Sequence, residues 1–422
     1  MKTVSLIYTY GLKNSGDMAI NLGAFDLLLD LDCEIKAFSK SDESDKEFKI
    51  TQTYINEYYP QIKLYGGPFK LNRDDSKITT IINHINGYLK TIGVNEDIKF
   101  IERLTSSQLV VFNGGNLFRS ESITDYARLK ALMYPLKKAQ EKKIPYIILP
   151  HSASTINKRG SRLLDNNLVN AKRFFTREDM SYDYLGRKFT NLQMEKSIDL
   201  AFFIKNNDLA KKKFNDKYQS IFNTNSNKIA ITLRTQVVGD LGELNTSTKN
   251  KILDAIRNTI KHYINMDDYQ IMLIVQTRKD REVTEQIYNE YKSTDKIAII
   301  EEYDTLVLKE IYRNCKLLIG MRLHSIILAL SANTPAIGYF EKTWGFKNPG
   351  LMQKFDLPYK LVEDEVDNLI PESSLVIEET SKYKSRIKDI IEKEKSMIKT
   401  SLEHIMKAND GSNNINNLKR EV

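Results

Sequence analysis

The chain has 422 residues, of which 41% are hydrophobic and 28% are charged, and its formal net charge is +8. A chain of this length is too long to fold around a single hydrophobic core, so more than one domain is expected. Its hydrophobic content is too high for a wholly disordered protein. The basic excess is spread along the sequence and predicts anionic ligands; nucleic acid is not expected, since no zinc-finger spacing or RNP-like motif is present.

The first apolar run, Val4 to Tyr8, predicts a β-strand. Tyr10 and Lys13 interrupt the run and no small-residue cleavage site follows, so a signal peptide is not expected. No stretch of eighteen consecutive apolar residues occurs. Cys33 and Cys315 form no CxxC pair and predict buried thiols in a reducing compartment. We therefore expect a cytoplasmic protein.

Strand and helix patterns then alternate along the chain, as in sheets that are mostly parallel with helices on both faces. Residues 40–75 are polar and predict a helix and loops. In the first half, strands are predicted at 108–113, 145–149 and 173–176, with helices at 19–31 and 124–142. After a polar stretch at 204–228, strands are predicted at 228–233, 270–276, 297–300, 317–320 and 335–339, with helices at 248–264, 282–291, 306–314 and 325–332.

The sequence thus predicts an α/β fold of two doubly wound Rossmann-like domains that face each other across a cleft, the GT-B-like architecture. We expect the domains at 1–200 and 201–375, then C-terminal helices at 376–408 that pack back on the domains, and a flexible tail at 409–422. The Lys-rich stretch SKYKSRIKDIIEKEKSMIK allows a second interpretation, peripheral contact with the inner face of an anionic membrane, which its many Glu residues weaken. The sequence does not indicate an oligomeric state.

Ligands of open α/β sheets bind beyond the carboxyl ends of the strands, so the residues there are candidates. Asn14 to Asp17 (NSGD) precede the first helix and could meet an anion or a hydroxyl; the alternative is an ordinary turn capped by Asp17. Gly114-Gly115-Asn116 indicate either ligand approach or tight packing. His151 ends the next strand and is either a cleft residue or a core histidine.

The ends of the strands in the second half of the chain show a pattern that is more specific than that in the first half. Arg234 and Gln276 each follow an apolar strand, where an Arg is rarely buried without an anionic partner. Arg322 and His324 lie two residues apart on one strand-to-helix turn, where they combine a fork for phosphate or carboxylate with a proton donor. The alternative is a surface Arg–acid pair and a structural His. No HxxxH or cysteine cluster occurs, and no metal is expected.

At these residues the chain resembles the polysaccharide pyruvyl transferase family. The matching segments, in chain order, are NSGDMAINLGAFDLL (14–28), VVFNGGNLF (110–118), LPHSAS (149–154), FFTREDMSYDYLG (174–186), the Asp199-Leu200-Ala201 step, ITLRT (231–235), GMRLHSIILALSANTPAIGY (320–339) and Lys342.

The resemblance implies transfer of pyruvate from phosphoenolpyruvate, with no other cofactor, onto two hydroxyls of one sugar as a ketal, with release of phosphate. It implies His324 as general acid, with Arg322 and Arg234 on the phosphate and carboxylate of the donor. A sugar or lipid-linked glycan would be the acceptor. The further expected contacts are Ser325, Gln276 and Lys342 for the donor, and Asp17, Asn14, Gly115, Asn116 and His151 for the acceptor.

Two other functions remain open. A glycosyltransferase with a nucleotide-activated sugar would keep the fold and change the donor, although no base pocket or acidic partner for a ribose is identifiable. A non-catalytic protein that binds glycans or phosphate is the second alternative. The presence of His324, Arg322 and Arg234 argues against it.

Overall fold

The computed structural model describes residues 2–70, 77–237 and 242–418, without the side chains of Lys77, Ile81, His84 and residues 409–418. Within this part of the chain, no helix is both long and apolar enough to cross a membrane. The predicted flexibility of residues 409–422 stays a prediction, because residues 419–422 and the side chains from 409 onward lie outside the described residues.

A parallel sheet of order β3-β2-β1-β4-β6-β7-β8 forms the core of the first half, and β5 pairs with β6. Its central strands are continuous apolar runs because helices cover both faces; Val110, Val111 and Phe112, for example, are fully buried. The strands are β1 Lys2–Thr9, β2 Cys33–Ser39, β3 Lys63–Tyr65, β4 Leu109–Phe112, β5 Gly115–Ser120, β6 Tyr146–Ile156, β7 Arg173–Thr176 and β8 Met194–Lys196.

A second parallel sheet has the order β11-β10-β9-β12-β13-β14. Its registers are unbroken; Ile231 of β9, for example, is paired with Leu273 on one side and Ile319 on the other. The strands are β9 Asn227–Thr232, β10 Tyr269–Val275, β11 Ile297–Glu301, β12 Leu317–Gly320, β13 Ala336–Phe340 and β14 Tyr359–Leu361.

Helices connect the successive strands, except β4 and β5, as the crossover geometry of parallel sheets requires. They are α1 Ser15–Leu29, α2 Lys46–Tyr58, α3 Lys77–Thr91, α4 Ile98–Thr105, α5 Ile123–Glu141, α6 Lys158–Leu168, α7 Asp179–Lys188, α8 Asp208–Phe222, α9 Thr246–Ile264, α10 Arg281–Tyr291, α11 Thr305–Arg313, α12 Leu323–Ser331, α13 Lys347–Lys354, α14 Ile370–Glu378 and α15 Thr380–Leu418. Short 3₁₀ turns lie at Leu200–Phe203, Arg278–Asp280, Lys342–Trp344 and Val362–Asp364.

The chain divides into two compact units whose limits differ from a simple cut after residue 200. The first unit holds Met1–Lys13, Ile20–Ile204 and Lys393–Val422, and the second holds Asn14–Ala19 and Lys205–Glu392. The first turn of α1 therefore belongs to the second unit. One reason is the Thr305 hydroxyl of α11, which donates a 2.9 Å hydrogen bond to the carbonyl of Ser15.

The C-terminal helix α15 contributes to both units. In the first unit its Ile398 and Leu402 are fully buried, and the Lys395 ammonium lies 2.8 Å from Asp30 of α1. Ile398 and Leu402 of this helix are therefore used within the protein, whereas Met397 is exposed; the membrane contact considered above stays a prediction.

Candidate functional site

The candidate site is built around the turn between β12 and α12, in the second unit. Arg322 is the N-cap residue of α12 with extended backbone (φ −114°, ψ 133°), and His324 follows in the first turn of the helix. The Ser325 hydroxyl donates to the carbonyl of Arg322 (2.7 Å) and lies 3.0 Å from the Thr232 hydroxyl at the end of β9. These bonds fix the turn to the sheet.

The sequence predicts that Ser325 contacts the donor, whereas in the structure Ser325 has a structural role. Its side chain is fully buried and its hydroxyl is used within the turn. We therefore assign Ser325 to the support of the turn and not to donor binding.

The Arg322 guanidinium is held edge-on by a carboxylate. Its Nε and Nη2 both donate to Asp280, with Nη2–Oδ1 at 2.6 Å, and Nη2 also donates to Gln236 Oε1 at 2.9 Å. Asp280 is only 2% exposed, so the pair is not the surface pair that the sequence left open. A bidentate Arg–carboxylate contact fixes the plane of the guanidinium, and Arg322 is therefore rigidly oriented.

A second arginine, Arg234, stands one residue beyond Leu233 after β9. Its guanidinium lies over the ring of Trp344, 4.6 Å from the centroid, and its Nη2 donates to the carbonyl of Val237 at 3.0 Å. The Trp344 indole donates in turn to the carbonyl of Gln236 at 2.9 Å. Arg322 and Arg234 are thus joined through Gln236 and Trp344 into one cluster that carries two guanidinium groups.

The His324 imidazole lies directly against the first turn of α1. A Cβ atom at Gly16 would be 2.3 Å from His324 Nδ1 and 2.5 Å from its Cγ, so only glycine fits. Asn14 is the residue that caps this turn: its Oδ1 accepts from the backbone N–H of Gly16 (2.9 Å) and Asp17 (3.4 Å). The alternative with Asp17 as N-cap is therefore wrong, and Asn14 has a structural task whatever it binds.

The structure brings two helix N-termini together at His324. Gly16 in the first turn of α1 packs against His324 in the first turn of α12, and the positive end of each helix dipole favours an anion. Asp17, expected on the acceptor side, follows Gly16 directly and belongs to this same unit.

Gln276 and Lys342, the remaining expected donor contacts, differ in exposure. Gln276 is buried, and its Oε1 accepts a 2.9 Å hydrogen bond from the buried Tyr312 hydroxyl, so its amide points into the core. This hydrogen bond gives Gln276 a structural role, and its contact with the donor stays a prediction. Lys342 begins the 3₁₀ turn that carries Trp344 and is solvent-exposed.

In the first unit, His151 is a core histidine. It is fully buried, Phe118 lies 4.3 Å from it between ring centroids, and its Nε2 accepts a 2.8 Å hydrogen bond from the Leu117 N–H. An accepting Nε2 carries no proton, so the ring is neutral with its proton on Nδ1. We therefore correct the expected acceptor contact to a packing role.

The sequence left open whether Gly114 and Gly115 allow a ligand to approach or allow tight packing, and the structure shows tight packing. A Cβ atom at Gly114 would lie 2.7 Å from the Pro150 carbonyl oxygen, and one at Gly115 would lie 2.1 Å from the Tyr10 hydroxyl. Gly115 also has φ +139°, a region that disfavours other residues. Asn116 is exposed, and its Oδ1 accepts from the Ser154 hydroxyl at 3.2 Å. Of the acceptor residues expected in this unit, only Asn116 is available to solvent.

Sequence reasoning missed two buried polar networks at the strand ends of the first unit. Asn21 binds both the N–H and the carbonyl of Tyr10, at 3.0 and 2.9 Å, and its Oδ1 also accepts from Asn113. Arg177 donates to Asp199 at 2.7 Å. Burial lowers the pKa of Arg177, but Asp199 and then Glu178 outweigh it and raise that pKa above its ordinary value. Of these residues, Asn21, Asn113, Arg177 and Asp199 lie inside the segments that carry the family resemblance.

No three His, Cys, Asp or Glu side chains come together as a metal site within the described ranges. Two oriented guanidinium groups, a histidine and two helix N-termini can bind a multiply charged anion and exchange a proton with it.

A family model described as polysaccharide pyruvyl transferase matches residues 14–339. No curated protein matches the chain. The match begins at the segment that packs against His324 and ends within β13, so it contains Arg234, Gln236, Asp280, Arg322 and His324, whereas Trp344 lies beyond it.

Several solved structures share the fold. UDP-GlcNAc 2-epimerase from Neisseria meningitidis bound to UDP-GlcNAc aligns with a TM-score of 0.59 and 14% identity over 95% of this chain and 99% of that one. Glycyrrhiza uralensis UGT73P12 gives 0.58 and 8% over 100% and 99%, and the epimerase from Methanocaldococcus jannaschii gives 0.52 and 15% over 92% of each. At these identities the likeness shows the fold alone, and that fold is GT-B.

Proposed function

The chain belongs to the polysaccharide pyruvyl transferase family, a family of transferases, and we propose that it transfers pyruvate from phosphoenolpyruvate to a saccharide. In the proposed reaction, C3 of the donor gains a proton and two hydroxyls of one sugar bond to C2, which forms a ketal. The C2–O bond to phosphate breaks and phosphate leaves. The two hydroxyl protons balance the proton gained by C3 and the one taken up by the departing phosphate or solvent.

One observation carries the proposal: His324 and Arg322 share a single rigid turn, and Arg234 is joined to that turn through Gln236. Phosphoenolpyruvate has about three negative charges near neutral pH, and guanidinium groups bind phosphate and carboxylate in oriented pairs. Asp280 fixes the plane of the Arg322 guanidinium, and we propose that Arg234 also contacts the donor directly. In this proposal Arg322 supplies an oriented N–H edge, and the exposed Lys342 adds charge.

His324 is the proposed general acid. Its ring is fixed between the first turn of α12 and the backbone of Gly16, so its direction is set before the donor binds. A fixed acid removes the orientational part of the barrier to protonation at carbon, and such a group typically contributes ~10²–10⁴-fold to the rate. For the acceptor we propose Asp17, which lies in the same unit as His324, and the expected acceptor contact of Asn116 stays a prediction.

The first test is a thermal melt with and without phosphoenolpyruvate. A ligand at ~100 times its dissociation constant adds roughly 2.7 kcal/mol, which shifts the melt of a chain of this size by a few degrees. We expect the shift in the wild type and a much smaller one in Arg234→Lys, which keeps the charge and loses the fork. Arg386→Lys is the matched control, because Arg386 pairs with the exposed Asp356 at the surface.

Turnover tests the histidine separately. Phosphate release from phosphoenolpyruvate, measured with a panel of glycosides, should fall by about 10² or more in His324→Ala, while the donor-induced melt shift is kept. His262→Ala in α9 is the control. Full turnover by His324→Ala would make the assignment wrong.

A nucleotide-activated sugar is the competing donor, and UDP-GlcNAc is bound by one of the structures with this fold. The same melts distinguish the two donors. A shift with UDP-GlcNAc and none with millimolar phosphoenolpyruvate would favour a glycosyltransferase. A tight ligand without any turnover would favour a binding protein.

A further inference from the structure

Trp344 is the only tryptophan of the chain, and it contacts Arg234 within the candidate site. The residue is 8% exposed, its indole N–H donates to the carbonyl of Gln236, and the Arg234 guanidinium lies over its ring. A buried tryptophan usually needs such a partner for its N–H. The family match ends before Trp344, so no role for this residue follows from the family.

The short turn that carries Trp344 is itself fixed. The Glu341 carboxylate accepts from the Thr343 N–H at 2.9 Å, and the Glu341 carbonyl accepts from the Trp344 N–H at 3.0 Å. The turn ends at Gly345, whose φ of +87° is a left-handed conformation that glycine adopts at low cost. The indole hydrogen bond to Gln236 then ties the turn to the segment after β9. The Trp344 ring is therefore held both through its backbone and through its N–H.

The two arginines of the cluster are supported in different ways. Asp280 binds Arg322 through two of the guanidinium nitrogens, and its carboxylate brings a negative charge. The Trp344 ring attracts Arg234 through the negative potential of its face and carries no formal charge. The ring therefore restrains Arg234 without adding an anion that would compete with a negatively charged donor.

We propose that Trp344 is a positioning residue for the donor and acts on donor binding through Arg234. This inference rests on the proposed function, in which Arg234 contacts phosphoenolpyruvate. An arginine side chain has several rotatable bonds, and their freedom is lost when a ligand fixes the guanidinium. The ring restrains the side chain before the donor arrives, which lowers this cost. Trp344 should therefore affect the KM for the donor more than kcat.

Trp344→Leu tests this role, with donor binding measured by calorimetry and turnover measured by phosphate release. The dissociation constant and KM for phosphoenolpyruvate should rise about tenfold, since a cation–π contact that is largely removed from water contributes a factor of this order. kcat should change by less than about threefold, because His324 and Arg322 are untouched. Trp344→Phe keeps an aromatic face and should bind the donor within about threefold of the wild type.

Tyr383→Leu is the matched control. Tyr383 is 6% exposed, which is close to the value for Trp344, and the Arg386 guanidinium lies over its ring, 5.9 Å from the centroid. The variant thus removes a buried aromatic ring with the same type of contact from α15. It should bind phosphoenolpyruvate like the wild type.

A double-mutant cycle shows whether Trp344 acts through Arg234. In Arg234→Met the cation is absent, so adding Trp344→Leu should weaken donor binding by less than about twofold. Fluorotryptophan provides a second test if the leucine variant does not fold, because biosynthetic incorporation changes residue 344 alone. Fluorine weakens the negative potential of the ring face with little change in shape, so donor affinity should fall with each added fluorine.

The outcomes separate this inference from the proposed function. No binding of phosphoenolpyruvate by the wild type would overturn the proposed function, and this inference with it. Wild-type binding with unchanged affinity in Trp344→Leu, or in the fluorotryptophan protein, would overturn the inference alone. So would equal losses from Trp344→Leu with and without the Arg234 cation, because the ring would then serve only the packing of the turn.

Discussion

Gly16 and His324 are far apart in the sequence, and their contact explains why a glycine stands in the first turn of α1. The imidazole occupies the space that a side chain at Gly16 would need. A second long-range contact, between Asp280 and Arg322, fixes the neighbouring guanidinium. At the scale of single residues, the candidate site is therefore oriented by groups that do not themselves carry the proposed chemistry.

Gly16→Ala should lower turnover by about 10²-fold, because the added methyl group would displace the His324 ring. A displacement of a catalytic group by ~1 Å can reduce the rate by that factor. The donor-induced melt shift should remain, since the arginine cluster is untouched, so kcat falls while donor binding is kept. Gly350→Ala in α13 is the control, because no atom lies within 4 Å of a Cβ built there. It should leave turnover unchanged and slightly stabilise the helix. Normal kcat in Gly16→Ala would show that the position of His324 is not set by this contact.

Among the elements, the strands with mixed polarity are those that periodicity did not predict. Strand β2 alternates Glu34 and Lys36 with apolar residues, and β3, β8 and β14 have only three residues each. β5 directly follows β4 through Asn113 and Gly114 and pairs with the extended end of β6. Short or edge strands obtain their stability from their neighbours in the sheet, so their own sequences carry little signal.

The C-terminal helix offers a test at the scale of an element. Truncation after Glu392 removes Ile398 and Leu402, which are buried in the first unit, together with the Lys395–Asp30 ion pair. Each buried aliphatic side chain contributes about 1.5–3 kcal/mol, so the melting temperature should fall by several degrees or the protein should become insoluble. Truncation after Ala408 is the control and should melt like the full chain. Equal melting of both truncated chains would contradict the packing of α15 on the first unit.

For the whole molecule, buried thiols and phenols predict a loss of stability in alkali. Burial, with a smaller contribution from Asp32, raises the pKa of Cys33 from 9.0 to about 11, and burial raises that of Cys315 to about 12. Burial also raises the pKa values of Tyr146 and Tyr339 to about 12. Between the ordinary and the raised values the unfolded chain binds fewer protons than the folded one, so the free energy of unfolding falls as pH rises.

Melting temperatures should therefore be stable near neutral pH and decline from about pH 9 upward. The decline should be shallower in Cys33→Ala/Cys315→Ala, which removes the thiol contribution. Both thiols should also resist a thiol reagent at pH 8 in the folded protein and react fully in denaturant, since the thiolate is the nucleophile. Rapid labelling of the folded protein at pH 8 would contradict the raised pKa values.

The sequence by itself determined the α/β class, the GT-B fold and the family, because apolar strand runs, strand-to-helix turns and their order are properties of neighbouring residues. It also located the Arg322–His324 turn. Only the tertiary structure showed which candidate residues are in contact. Asp280 and Gln236 bind Arg322, and Gly16 packs against His324. His151, Gln276 and Ser325 are buried and hydrogen-bonded within the protein. The physical reason is that burial and hydrogen bonding depend on contacts between segments that are distant in the sequence. The sequence of one segment does not indicate which other segment it will contact.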